Sequence, residues 1–309
     1  MRVLVTGAHG FVGTHLCATL RARGHEVLES DRHSALPVDV TDPLAVRGAL
    51  ELSRPDAVAH LAGQAFVPAS VSDPDGTFAI NASGTLNVLD AVRTLRDEGV
   101  APRVLVVSSA DVYGAQPPPR YPLTEEVAPR PATPYAASKI AAESLAVAYA
   151  RSYGVDAVVT RAFNHIGPGQ DARFAVASFA TQLAHVASGG DPVIRVGNLE
   201  ASRDFLDVRD VCEAYAALLE GGGTRGEIYN VASGTATSLK EVLRRLIEIA
   251  HVPVEVREDP ERMRPSDVPV SVGDASKLRA ATGWTPRIPL TAALRAVYDD
   301  ARARAQVTS

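Results

Sequence analysis

Tyr135 and Lys139 stand four residues apart in the run TPYAASKIAAESLAVAYARSY, residues 133–153, a spacing that puts both on one helix face. An ammonium held near a phenol favours the phenolate and makes the tyrosine a better proton donor and acceptor near neutral pH. Alone, a Y-x-x-x-K pair is more often a surface pair than a catalytic one, so the rest of the chain decides. A hydroxyl and a carboxylate, Ser109 and Asp111, follow the apolar run at 103–107 (RVLVV). Gly7, Gly10 and Gly13 follow another apolar run, RVLVT at 2–6, and precede a helical pattern through Phe11 and Val12. Strand, glycine-rich turn and helix in that order let a backbone approach a pyrophosphate, which rests on the helix N-terminus. The spacing is G-x-x-G-x-x-G. Asp31 and Arg32 follow the second strand. The carboxylate suits ribose hydroxyls and slightly favours NADH, whereas the guanidinium suits a 2′-phosphate and leaves NADPH open.

These residues need a sheet whose strand ends converge. Buried-type strands are expected at 2–6, 25–30, 56–61, 103–107, 155–161 and 227–232, with helices between them. Thr133 followed by Pro134 is a good start for the Tyr135 helix. The segment 68–76 reads as a loop before a long helix at 78–96, and 115–134, rich in proline, as an ordered loop. The alternation gives an α/β fold: a doubly wound parallel Rossmann sheet over residues 1–164, with a smaller α/β substrate domain over 165–309. Roughly 205–232 is expected to return to the main sheet. Asp39-Val40 precedes the helix at 43–52, and Leu61-Ala62-Gly63 forms a small-residue turn.

Composition excludes several classes. The chain has 309 residues, 46% hydrophobic and 22% charged, with a formal charge of -5. Such a balance gives no support for nucleic-acid or anionic-membrane partners. No apolar run approaches the length of a membrane span. Cys17 and Cys212 lie in helical, apolar contexts and read as buried free thiols, so neither a zinc site nor a disulfide is expected. The chain reads as cytoplasmic.

Together, the glycine turn, Ser109 and Tyr135-x-x-x-Lys139 resemble the extended short-chain dehydrogenase/reductase family over essentially the whole chain. The resemblance implies Tyr135 as the acid that protonates a carbonyl oxygen, Ser109 as a second donor to it, and Lys139 as electrostatic partner and anchor for the nicotinamide ribose. It also implies cofactor contacts from Gly7, Gly10, Phe11, Val12, Gly13, Asp31, Arg32, Asp39, Val40, Leu61, Ala62, Gly63 and Phe163. Three later runs, FNHIGPGQ (163–170), VGNLEASRDFLDVRD (196–210) and RPSDVPV (264–270), resemble the family's reductases of GDP-4-keto-6-deoxy-D-mannose. By that resemblance Asn164, Arg203, Arg264 and Asp267 would hold the GDP moiety, with Asn198 and Leu199 by the guanine and Asp111 near the sugar. Arginine forks suit a pyrophosphate, and a carboxylate suits a ribose hydroxyl pair. A GDP-mannose 4,6-dehydratase or an epimerase stays open, because Asp111 stands where related dehydratases carry a Glu. A non-catalytic cofactor sensor is the third reading. His9 and His165 read as packing or backbone-bonding residues. A homodimer is expected through a four-helix bundle of the 78–96 and Tyr135 helices, with Ala141, Ala142, Ala146 and Ala148 permitting close approach.

Overall fold

A computed structural model describes residues 1–263 and 268–307. Six strands of a seven-stranded sheet follow the apolar runs of the sequence, and all the pairings are parallel. The order across the sheet is Ile228–Val231, Ala157–Ala162, Arg103–Ser109, Ala57–His60, Arg2–Thr6, Glu26–Asp31 and Leu36–Pro37. Every residue of Ala57–His60 and of Ala157–Ala162 is buried, as central strands covered on both faces must be.

Strand order reverses direction between Arg2–Thr6 and Ala57–His60, which pair with Val3 opposite Ala57. A ligand crevice opens at such a switch point, outside the carboxyl ends of the strands. The glycine turn and Leu61-Ala62-Gly63 therefore flank one crevice.

Helices cover both faces. Phe11–Ala22 and Val208–Leu219 pack together on one side, around Leu16, Leu20, Val211 and Tyr215. Pro43–Ser53, Gly84–Asp97 and Pro134–Ser152 cover the other, around Leu50, Val88, Leu89 and Ala146. A third apolar cluster lies among Ala175–Ala187, Leu239–Ala250 and Leu290–Val307. Beside it Ser202–Asp207 is the hub of a small sheet, pairing with Asn164–Ile166, Ala236–Ser238 and Val270–Ser271. Asp204, fully buried, pins that hub: its oxygens accept from the backbone N–H groups of Ser233 at 2.8 Å and Gly234 at 2.9 Å.

Three sequence expectations need correction. The stretch at 68–76 is helical, as Val67–Ser72 and Pro74–Phe78. Its prolines start helices, and Asp73 caps the second by accepting from the Gly76 N–H at 2.9 Å. The return to the main sheet begins at Val208, since 205–207 belong to the small sheet. Ala142 and Ala146 face the chain's own core, 1% and 0% exposed, and offer no surface to a partner.

Candidate active site

The glycine turn is shaped by what a side chain would strike. Gly7 has φ +69°, and a Cβ on Gly13 would sit 2.2 Å from the Gly7 carbonyl oxygen. No side chain caps the helix that begins at Phe11, and its first turn carries no acidic residue. The helix N-terminus therefore presents its N–H groups and positive dipole end to the crevice. Such a cradle fits a dinucleotide pyrophosphate.

From this turn a cavity of about 400 Å³ runs past Leu61, Gly63, Ser109, Asp111, Tyr135, Lys139, Phe163 and Asn164 to Arg203. A second, of about 550 Å³, shares Val67, Asn164, His165, Gln170, Phe174 and Arg203 with it and continues to Arg195, Asn198 and Arg262. The two form one cleft, with the tyrosine and serine in its first part.

Each of the expected site side chains is placed by local chemistry. Thr133 caps the Tyr135 helix by accepting from the Ala136 N–H at 3.1 Å, and Pro134 sits in its first turn. Ser109 ends its strand, and its hydroxyl accepts from the Asp111 N–H at 3.2 Å, which turns the Asp111 carboxylate toward the same space. Lys139 donates to the Val107 carbonyl at 2.9 Å. Below it, buried Asn81 lies in a π-type turn at Ala79–Ser83. Its amide holds Gln64 through both backbone groups, at 2.8 and 3.0 Å, and so sets the Gly63 turn beside Lys139.

The electrostatics differ from the sequence expectation. Burial, and then the Asp111 charge, raise Tyr135 above the ordinary phenol range, while the Ser109 hydroxyl lowers it by less. Lys139 lies 6.0 Å from the Tyr135 ring centre and does not offset this. Tyr135 is thus a protonated phenol across the neutral range: a donor at rest. Burial draws Lys139 down to about 8, against the charge of Glu143.

Not all expected site residues converge. Asp31, Arg32, Asp39, Val40 and Ala62 are not among the residues lining the first cavity. Arg32 reaches Asp39 at 3.4 Å, and the Asp31 carboxylate accepts its neighbour's N–H at 2.7 Å. Val40 and Ala62 pack into the core. Leu199 packs against the third cluster, whereas Asn198 faces the second cavity. Arg264 and Asp267 lie outside the described residues. In SRDFLDVRD Arg203 and Phe205 face the cleft, and the aspartates do not. Asp207 caps the following helix by accepting from the Arg209 N–H at 2.8 Å, and Asp210 holds the N–H groups of Arg287 and Ile288 at 3.0 and 2.8 Å. His165 is bonded to the Phe163 carbonyl at 3.0 Å and stacked on Phe11.

Sequence reasoning missed Phe66, Phe174, Gln170, Arg195 and Arg262. Phe66 and Phe174 meet edge to face at 5.8 Å, and Arg173 lies 4.9 Å over Phe66. That contact joins the start of the Ala175–Ala187 helix to the start of the Val67–Ser72 helix. Pro68 one residue into that helix was the available signal.

The sheet, the glycine cradle at its switch point and the tyrosine lining the same cavity define a dinucleotide-dependent enzyme of the doubly wound type. A family model described as the NAD dependent epimerase/dehydratase family matches residues 3–232, and the chain belongs to that family. It is 42% identical over 308 residues to a GDP-6-deoxy-D-mannose reductase of Pseudomonas aeruginosa, covering 98% of each chain. Among solved structures, RMD from Pseudomonas aeruginosa complexed with NADPH superposes with a TM-score of 0.89 at 41% identity, covering 98% of this chain and 99% of that one. The UDP-glucose 4-epimerase of Thermus thermophilus with NAD gives 0.85 at 35%, with the same coverage. Among the described residues no helix is long and apolar enough to cross a membrane, and no His, Cys, Asp and Glu group could hold a metal.

Proposed function

We propose that this chain is an NAD(P)H-dependent reductase that converts GDP-4-keto-6-deoxy-D-mannose to GDP-6-deoxy-D-mannose (GDP-D-rhamnose). One observation carries the reading beyond the family: Tyr135, Ser109 and Arg203 line a single cleft that joins the glycine cradle to a second cavity rimmed by arginines. The relative at 42% identity, a GDP-6-deoxy-D-mannose reductase, carries the product sugar in its name.

Gly7, Gly10, Phe11, Val12 and Gly13 would hold the pyrophosphate of the dinucleotide, and Lys139 its nicotinamide ribose. When bound, the dinucleotide supplies the hydride to sugar carbon 4. Tyr135 gives its proton to the carbonyl oxygen as charge develops there, and Ser109 donates a second hydrogen bond to that oxygen. A phenol kept protonated by burial and by Asp111 suits the reducing direction. Arg203 holds the substrate pyrophosphate, and Asn198 and Asn164 the nucleoside side. Residues after Asn164, other than those returning to the main sheet, form the sugar-nucleotide half. NADPH and NADH both remain usable: Asp31 favours the second, and the NADPH-bound relative supports the first.

A four-helix homodimer fits the outward sides of Gly84–Asp97 and Pro134–Ser152, where Leu86 is 36% exposed and Ala148 is exposed. The buried free thiols Cys17 and Cys212 suit a reducing cytoplasm. Purified protein should oxidise NADPH or NADH on addition of the keto sugar. Turnover of GDP-mannose alone, without added reductant, would instead support the dehydratase reading that Asp111 leaves open.

A further inference from the structure

One buried ion pair below Lys139 has no part in the chemistry so far. Glu143 lies one turn past Lys139 on the same helix, and Arg161 near the end of the strand Ala157–Ala162. Their side chains are 5% and 4% exposed. Arg161 grips the carboxylate with two parallel bonds, Nε to Oε1 at 3.0 Å and Nη2 to Oε2 at 2.8 Å. The Ser108 hydroxyl donates to the same Oε1 at 2.5 Å. Three segments thus meet at one carboxylate: the Tyr135 helix, the strand end that carries Ser109, and the strand that leads to Phe163 and Asn164.

Arg161 is itself fixed. Its guanidinium lies 4.7 Å over the Tyr113 ring, and the Tyr113 hydroxyl donates to Asn230 at 2.7 Å. A buried ion pair of this kind adds little stability over a packed apolar pair, because desolvation of both charges offsets their attraction. Stability alone does not account for it.

The charged and titratable groups around Lys139 are few. Tyr135 and Glu143 share its helix, Arg161 reaches Glu143 from the strand Ala157–Ala162, His60 lies on the neighbouring strand, and Asp111 acts on Tyr135 from the strand end opposite. His60 is buried and neutral, lowered to about 3 by burial and then by Lys139. Of these groups Glu143 is the carboxylate that acts on Lys139.

We propose that Glu143 is a positioning residue for this reaction: clamped by Arg161 and Ser108, it holds Lys139 as an ammonium and fixes the strand end that presents Ser109. The inference rests on the roles given above to Lys139 and Ser109. With Glu143 in place Lys139 titrates at about 8, so its ammonium is present below that pH and lost above it. Without the carboxylate, burial acts unopposed, and the loss moves to lower pH.

The chain has only three lysines, Lys139, Lys240 and Lys277. NMR of lysine labelled at the side-chain carbon next to nitrogen therefore reads Lys139 directly, assigned by its disappearance in Lys139→Met. In Glu143→Gln its midpoint should fall by about one pH unit, and the alkaline limb of kcat with it, while KM stays within about twofold. Glu143→Gln leaves Arg161 unpaired and can fail to fold. Glu143→Gln/Arg161→Gln removes both charges, and there the fall should be smaller but still present. Ser108→Ala, which leaves the ion pair intact, should lower kcat severalfold with the limb unmoved. An unchanged Lys139 midpoint in both charge variants overturns the proposal. The titration needs no sugar, so a shifted midpoint in a chain that does not reduce the keto sugar would fault the functional reading alone.

Discussion

The two halves of the cleft are built differently. Around Gly7, Gly10 and Gly13 the site is backbone: a carbonyl 2.2 Å from where a Cβ would stand forbids any side chain at Gly13. Around Arg203, Asn198 and Arg262 it is side chains: Arg203 lies on the small sheet pinned on Asp204, and Asn198 and Arg262 follow the paired strands Val193–Val196 and Glu255–Glu258. A backbone site tolerates no substitution and fails at once. A side-chain site loses one contact at a time.

The sharpest test of that contrast is Gly13→Ala. Its Cβ would strike backbone rather than a flexible side-chain end, so the turn must open. We expect dinucleotide affinity to fall by about 100-fold or more, some 3 kcal/mol, in a fluorescence titration. Retained affinity would contradict the cradle assignment. Tyr135→Phe comes next. Loss of the proton donor should lower kcat by about 10²–10⁴ with the dinucleotide Kd within about twofold. A matching loss of affinity would mean that the residue holds the fold rather than the proton.

On the side-chain half, Arg203→Met should raise KM for the GDP-sugar by about tenfold or more, or 1.5–3 kcal/mol for one charged hydrogen bond, and leave the dinucleotide Kd unchanged. An effect on both ligands would show that the halves are not separable.

The smallest effect lies away from both halves. Glu220, held by Arg23 and His25, has its carboxyl pulled from the ordinary 4.5 to about 2, chiefly by its hydrogen bond to Arg23. That contribution is present above pH 4.5 and is lost as pH falls through about 2. Glu220→Gln should therefore cost about 1 kcal/mol at pH 7, the scale of a partly exposed pair, and nothing once the pH is well below about 2. A difference that persists in acid would assign the effect to packing.

The same contrast explains what could be read from the sequence. The sheet and the cradle were legible because glycine spacing and buried apolar runs are local constraints: 2–6, 103–107 and the Tyr135 helix lie where expected, within a few residues. The second half was less so. Val67–Ser72 was hidden by prolines that elsewhere mark loops. The aspartates of SRDFLDVRD look like ligand groups, yet each satisfies backbone N–H groups of its own chain. Gln170 and Arg262 carry no spacing signal, because partners distant in sequence bring them to the cleft. The sequence also pointed Tyr135 toward the phenolate. Proximity to Lys139 on one helix face suggested it, but burial and Asp111, both set by the tertiary fold, decide otherwise.

The central claim is that the cleft carries a hydride from the dinucleotide half to a keto sugar in the other half. Reductant deuterated at the transferring carbon, supplied with GDP-4-keto-6-deoxy-D-mannose, tests it most directly by mass spectrometry and NMR of the sugar. One deuterium at carbon 4 of the product is expected for each reductant oxidised. Product formed without label, or with no reductant consumed, would contradict it.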